Sequence, residues 1–135
     1  MKAHFLCPLP STERWFDKKG KPVYEGATWN NEFLSAKTKR FGTFAISVDT
    51  VSPVLTVVAL PSEKSQAAVF KVTDDLSGIK TYRALLDGKW LLMEYDAKRN
   101  ALFCDLNGIS TNKKHTLELT VTDSVGNQTV VAKGF

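Results

Sequence analysis

Between Phe70 and Trp90 the chain reads FKVTDDLSGIKTYRALLDGKW: an alternating apolar and polar run, a turn built on Asp-Asp-Leu-Ser-Gly, and a second extended run that ends at Asp87-Gly88. Alternation with a period of two puts every second side chain on one face, so this stretch predicts strand, turn and strand. Asp-Gly readily supplies positive φ at both centres of a type I′ turn, which predicts that 79–86 and 89–95 are neighbouring antiparallel strands. A weaker echo follows at 119–128, LTVTDSVGNQ, where an alternating strand again runs into an aspartate and a glycine turn.

From residue 54 onward strand and turn signals recur about every 8 to 12 residues, the spacing of a two-sheet β-structure. The expected strands are 54–59, 67–73, 79–86, 89–95, 101–106, 115–122 and 128–132. Ala68, Phe70 and Val72 fall on one face, and so do Leu117, Leu119 and Val121, with Thr116, Glu118, Thr120 and Thr122 turned to solvent. This pattern of short strands with no helical period predicts an all-β, immunoglobulin-like β-sandwich over 49–135.

Residues 1–48 read as a short β-meander. A hairpin is expected from 14–16 to 22–25 around the polar turn at 17–21, then a turn at 29–31, a strand at 32–36 and a further strand at 41–48. Its hydrophobics are mostly aromatic and β-branched and too few for a core of their own. The segment is therefore expected to be a partial β-sheet, the end of an upstream β-domain. Asp49-Thr50-Val51-Ser52-Pro53 marks the boundary, because Pro53 lacks an amide donor and holds Ser52 extended.

Composition narrows the classes. Of the 135 residues 43% are apolar and 24% charged, a globular balance. No apolar run approaches the roughly 20 residues of a membrane-spanning helix. The net charge of +4 comes wholly from residues 1–48, which hold eight Lys and Arg against four Asp and Glu, whereas 49–135 holds ten against ten. Without clustered arginines or interleaved aromatics, that excess predicts a solvated surface and not a nucleic-acid partner. The opening MKAHFLCPLP lacks the apolar core of a secretion signal, so none is expected in this chain.

Candidate chemistry is sparse. Cys7 and Cys104 are too few and too distant for a disulfide framework or a zinc site, and Cys104, on one strand face with Leu102 and Leu106, is expected to be a buried inert thiol. Trp90 with Tyr82 and Tyr95 offers a sugar-stacking face, but packing of Trp90 across the core or against its strand neighbour is preferred. Trp15, Tyr24 and Trp29 carry the same ambiguity. Asp49, Asp74, Asp75, Asp123 and Asn127 are expected to gather at one end of the sandwich, where oxygen ligands would suit calcium. Acceptance of backbone amides within their own turns is the preferred role, so no cofactor is expected. No nucleophile has a plausible base, and no phosphate loop occurs.

The connector VDTVSP, the turn DDLSGI, the DGKW hairpin followed by EYDAKRN, and the ending HTLELTVTDSVGN together resemble a known arrangement. They are similar to the carboxy-terminal immunoglobulin-like domain of Gram-negative envelope peptidoglycan metallopeptidases of the lysostaphin type, over about residues 41–135. Such a peptidase needs a His-x-x-x-Asp pair and a His-x-His pair, whereas this chain has only His4 and His115. The resemblance therefore implies the module without the catalytic domain: a non-catalytic accessory sandwich in the periplasm or at the cell surface, spacing or positioning a cell-wall peptidase. The implied partners are the upstream domain of the same polypeptide or an envelope protein, and peptidoglycan or another glycan. The alternative is a stand-alone adhesin-like or carbohydrate-binding module. His115 is expected to be a surface or strand-edge residue.

Overall fold

The computed structural model describes residues 2–6, 11–16, 20, 22–24, 26–30, 33–39, 41–110 and 112–135. The chain divides into two compact units, one of Met1–Val51 with Asp75–Gly78, the other of Ser52–Asp74 with Ile79–Phe135.

The first unit is built from β1 (Lys2–Leu6), β2 (Ser11–Phe16), β3 (Pro22–Tyr24), β4 (Thr28–Asn30), β5 (Phe33–Lys37) and β6 (Phe44–Val48). They form two three-stranded antiparallel sheets, β1-β5-β4 and β3-β2-β6. The expected hairpin is there, with Arg14 opposite Tyr24 and Phe16 opposite Pro22, although most of its turn lies outside the described residues. The turn expected at 29–31 gives way to strand over Thr28–Asn30, because β5 offers it a ladder from Thr28 opposite Ser35 to Asn30 opposite Phe33. β1 was not legible in its sequence, yet it pairs with β5 along its whole length. Leu34 and Ala36 of β5 are buried.

The second unit holds β7 (Val54–Ala59), β8 (Ala67–Thr73), β9 (Ile79–Leu86), β10 (Lys89–Leu91), β11 (Glu94–Asp96), β12 (Ala101–Asp105), β13 (Thr116–Asp123) and β14 (Gln128–Gly134). Two four-stranded antiparallel sheets result, ordered β10-β9-β13-β14 and β11-β12-β8-β7. Ala68, Phe70 and Val72 of β8, Leu102 and Cys104 of β12, Ala84 of β9, and Leu117, Leu119 and Val121 of β13 form one buried core between the sheets, joined by Met93 and Leu106. The alternation that predicted the strands thus also selected the buried face, and the unit is an all-β sandwich.

At Asp87-Gly88 the φ values are 49° and 78°, positive at both centres as a type I′ turn requires. Lys89 then lies opposite Leu86, and Trp90 opposite Leu85. The single strand expected over 89–95 is in fact two. β10 pairs with β9 in one sheet, while β11 pairs with β12 in the other, Tyr95 opposite Leu102. The crossing occurs at Leu92 and Met93, where Leu92 is exposed and Met93 is buried in the core. Apolar alternation reports a buried face but not the sheet that supplies it, and this is why the break was not visible locally.

Candidate functional site

Three groups of polar or aromatic side chains stand out, and each is built by a turn or a sheet edge. In the last hairpin the chain leaves β13 at Asp123 and re-enters the sheet at Gln128. Asp123 is completely buried, and its Oδ1 accepts the backbone N–H groups of Val125, Gly126 and Asn127 at 3.0, 2.7 and 2.8 Å. Its Oδ2 accepts the Asn127 side-chain amide at 2.8 Å. One carboxylate thereby accepts three backbone amides of the turn, the arrangement expected of an aspartate that competes with a regular ladder. The Asp123 backbone N–H also donates to Asn127 O, closing the loop.

Asp74, half-buried at the end of β8, brings a carboxylate oxygen within 4.8 Å of one from Asp123. The second unit therefore does gather Asp74, Asp123 and Asn127 at one end. Asp49 and Asp75 belong to the first unit. There Asp49 is buried, its Oδ1 accepting the Val51 N–H at 3.2 Å, and Asp75 is exposed.

The aromatic trio is split. Tyr82 and Tyr95 meet with ring centroids 6.2 Å apart and planes tilted by 48°. Tyr82 has the inward parity of buried Ala84 on β9, and Tyr95 stands opposite buried Leu102, so the two rings close the flank between the sheets where β10 no longer pairs with β9. They remain 39% and 38% exposed, which leaves an open edge on each ring. Trp90 is on the other face of its sheet: Leu91 opposes buried Ala84, so its neighbour Trp90 points outward and is 67% exposed. Of the two placements expected for Trp90, packing across the core is thus corrected, and the register leaves the one beside its strand neighbour Leu85.

The third group was not legible beforehand. Asp87, the first residue of the hairpin turn, reaches across to the start of β13, where its Oδ1 accepts the Thr116 N–H at 2.8 Å and its Oδ2 lies 2.6 Å from His115 Nδ1. The other ring nitrogen, Nε2, lies 3.0 Å from the Ser110 carbonyl oxygen. His115 is therefore no simple surface residue: its side chain is 14% exposed, against 47% for Asp87. Its hydrogen bond to Asp87 raises the histidine pKa, and the same bond, helped by the Thr116 amide, lowers that of Asp87. Partners separated by 28 residues in sequence leave no local motif, and only the register of β9 against β13 brings them together.

Cys104 is buried, and desolvation pushes its thiol pKa up, away from nucleophilic use. Cys7 lies outside the described residues. No family model matches the chain, and no curated protein matches it.

Proposed function

We propose that this chain contributes a non-catalytic accessory module to a cell-envelope protein, with the sandwich spacing or positioning a cell-wall peptidase on the same polypeptide. The observation that carries the reading is how the loops are fastened. Asp123 binds three amides of its own turn, Asp96 accepts the N–H groups of Lys98 and Arg99, Asp105 accepts that of Asn107, and Asp87 accepts that of Thr116. Carboxylates committed in this way hold turns rigid, which suits a spacer. The sheet orders β10-β9-β13-β14 and β11-β12-β8-β7 support an immunoglobulin-like reading, since they follow the C′CFG and ABED pairing of that fold. The sequence resemblance adds the extracytoplasmic setting and the peptidase.

The test is the reading frame upstream of this coding segment. A His-x-x-x-Asp motif followed by a His-x-His motif is expected there; a frame without them sinks the peptidase association. The second reading, a carbohydrate-binding module, rests on the half-open Tyr82–Tyr95 pair. It requires that soluble muropeptides perturb the NMR signals of both rings, and that Tyr82→Ala abolish the perturbation at Tyr95.

A further inference from the structure

We propose that His115 is a protonation latch at one end of the sandwich, fastening the Ser110 carbonyl to the β9–β10 turn when the ring carries both protons and releasing it when one is lost. Each ring nitrogen faces an acceptor, Asp87 Oδ2 at 2.6 Å and Ser110 O at 3.0 Å. A neutral imidazole has one N–H and can satisfy one of them; only the imidazolium donates to both.

The rest of the cluster determines which bond gives way. Asp87 is held independently of the ring, because its Oδ1 takes the Thr116 N–H at 2.8 Å and its own N–H donates to Thr116 O at 2.9 Å. His115 is held by paired backbone bonds with Phe135, at 3.0 and 3.1 Å, and its ring lies 5.7 Å from the Phe135 ring. The carboxylate is the stronger acceptor, so the last proton stays on Nδ1. Loss of the other leaves an Nε2 lone pair facing the Ser110 oxygen, and the contact turns repulsive. Release therefore falls on Ser110, while the His115–Asp87–Thr116 side stays in place.

The other charges acting on the pair are Lys113, which opposes protonation of His115, and Lys89, which favours the ionised Asp87. Because the folded histidine pKa is raised, the latch is fully made below the ordinary histidine value of about 6.5 and is lost as pH rises through the higher folded value. The depressed aspartate pKa sets the other limit: its contribution is complete above the ordinary aspartate range and lost as pH falls through the lower folded value. The latch is thus engaged in mildly acidic solution and opens toward alkaline pH.

An NMR titration of the full chain tests this by following the His115 ring, the Ser110 carbonyl carbon and the Thr116 amide. His115 is expected to titrate above a histidine model peptide, with the Ser110 carbonyl shift moving at the same midpoint and the Thr116 amide shift moving less. Asp87→Asn is expected to bring the His115 midpoint down toward the peptide value. A wild-type midpoint at or below the peptide value, or a Ser110 carbonyl signal indifferent to the His115 titration, would overturn the proposal whether or not the variant folds.

Discussion

Phe70→Ala is expected to destabilise the second unit by about 3–5 kcal/mol, the largest effect of any single truncation in its core. Phe70 is fully buried in the middle of β8, opposite Leu102 of β12 and Val57 of β7. Its ring shares the buried core between the sheets with Ala84 of β9 and Leu117, Leu119 and Val121 of β13, all on hydrogen-bonded ladders that resist collapse into a gap. The matched control is Phe103→Ala on β12. Phe103 is adjacent to Leu102 in sequence but on the opposite face, 38% exposed, so its loss should cost about 1 kcal/mol or less. Urea unfolding followed at amide signals of β8 and β13 measures both, with a lower midpoint and an unchanged slope expected for Phe70→Ala. A one-residue slip in register exchanges the two faces. Equal costs for the two substitutions would show that the register assigned to β12 and β8 is wrong.

Asp123→Ala should cost roughly 1–3 kcal/mol, because the buried carboxylate is lost from four hydrogen bonds at once, while its donors lie in a half-exposed turn where water can take over part of the pairing. Three backbone amides and the Asn127 side-chain amide lose their acceptor together. Asp123→Asn should be intermediate: it keeps an acceptor at Oδ1 but sets an NH2 group against the Asn127 amide. Calcium enters as the competing role, since Asp74 brings a second carboxylate oxygen within 4.8 Å of Asp123. With both oxygens of Asp123 already accepting hydrogen bonds, millimolar calcium is expected to leave Tm unchanged. A calcium-dependent rise in Tm that disappears in Asp74→Ala would assign the pair to metal binding.

What could be read ahead of the structure was whatever is encoded by neighbours in sequence. The alternation of Ala68, Phe70 and Val72, and of Leu117, Leu119 and Val121, gave both the strands and their buried faces, since parity alone decides which side of a strand a residue occupies. Asp87-Gly88 placed its turn because only residues tolerant of positive φ fit there. What could not be read depends on partners distant in sequence. The passage from β10 to β11 at Leu92 and Met93 is set by which sheet receives Met93, and no local pattern carries that. The outward position of Trp90 follows from its register opposite Leu85, and the bond from His115 to Asp87 follows from β9 lying beside β13. The acids were intermediate: Asp123 announced a turn, but the burial from which it gathers three of that turn's amides was a property of the packed hairpin.

The proposed role, positioning a peptidase without cutting, is measured most directly by hydrolysis. The full chain incubated with purified peptidoglycan, with and without added zinc, is expected to release no soluble muropeptides and to leave the turbidity of the suspension unchanged. Release of muropeptides by the full chain would contradict that role, and release that persists after both His4 and His115 are replaced by alanine would place the catalytic centre outside the two histidines.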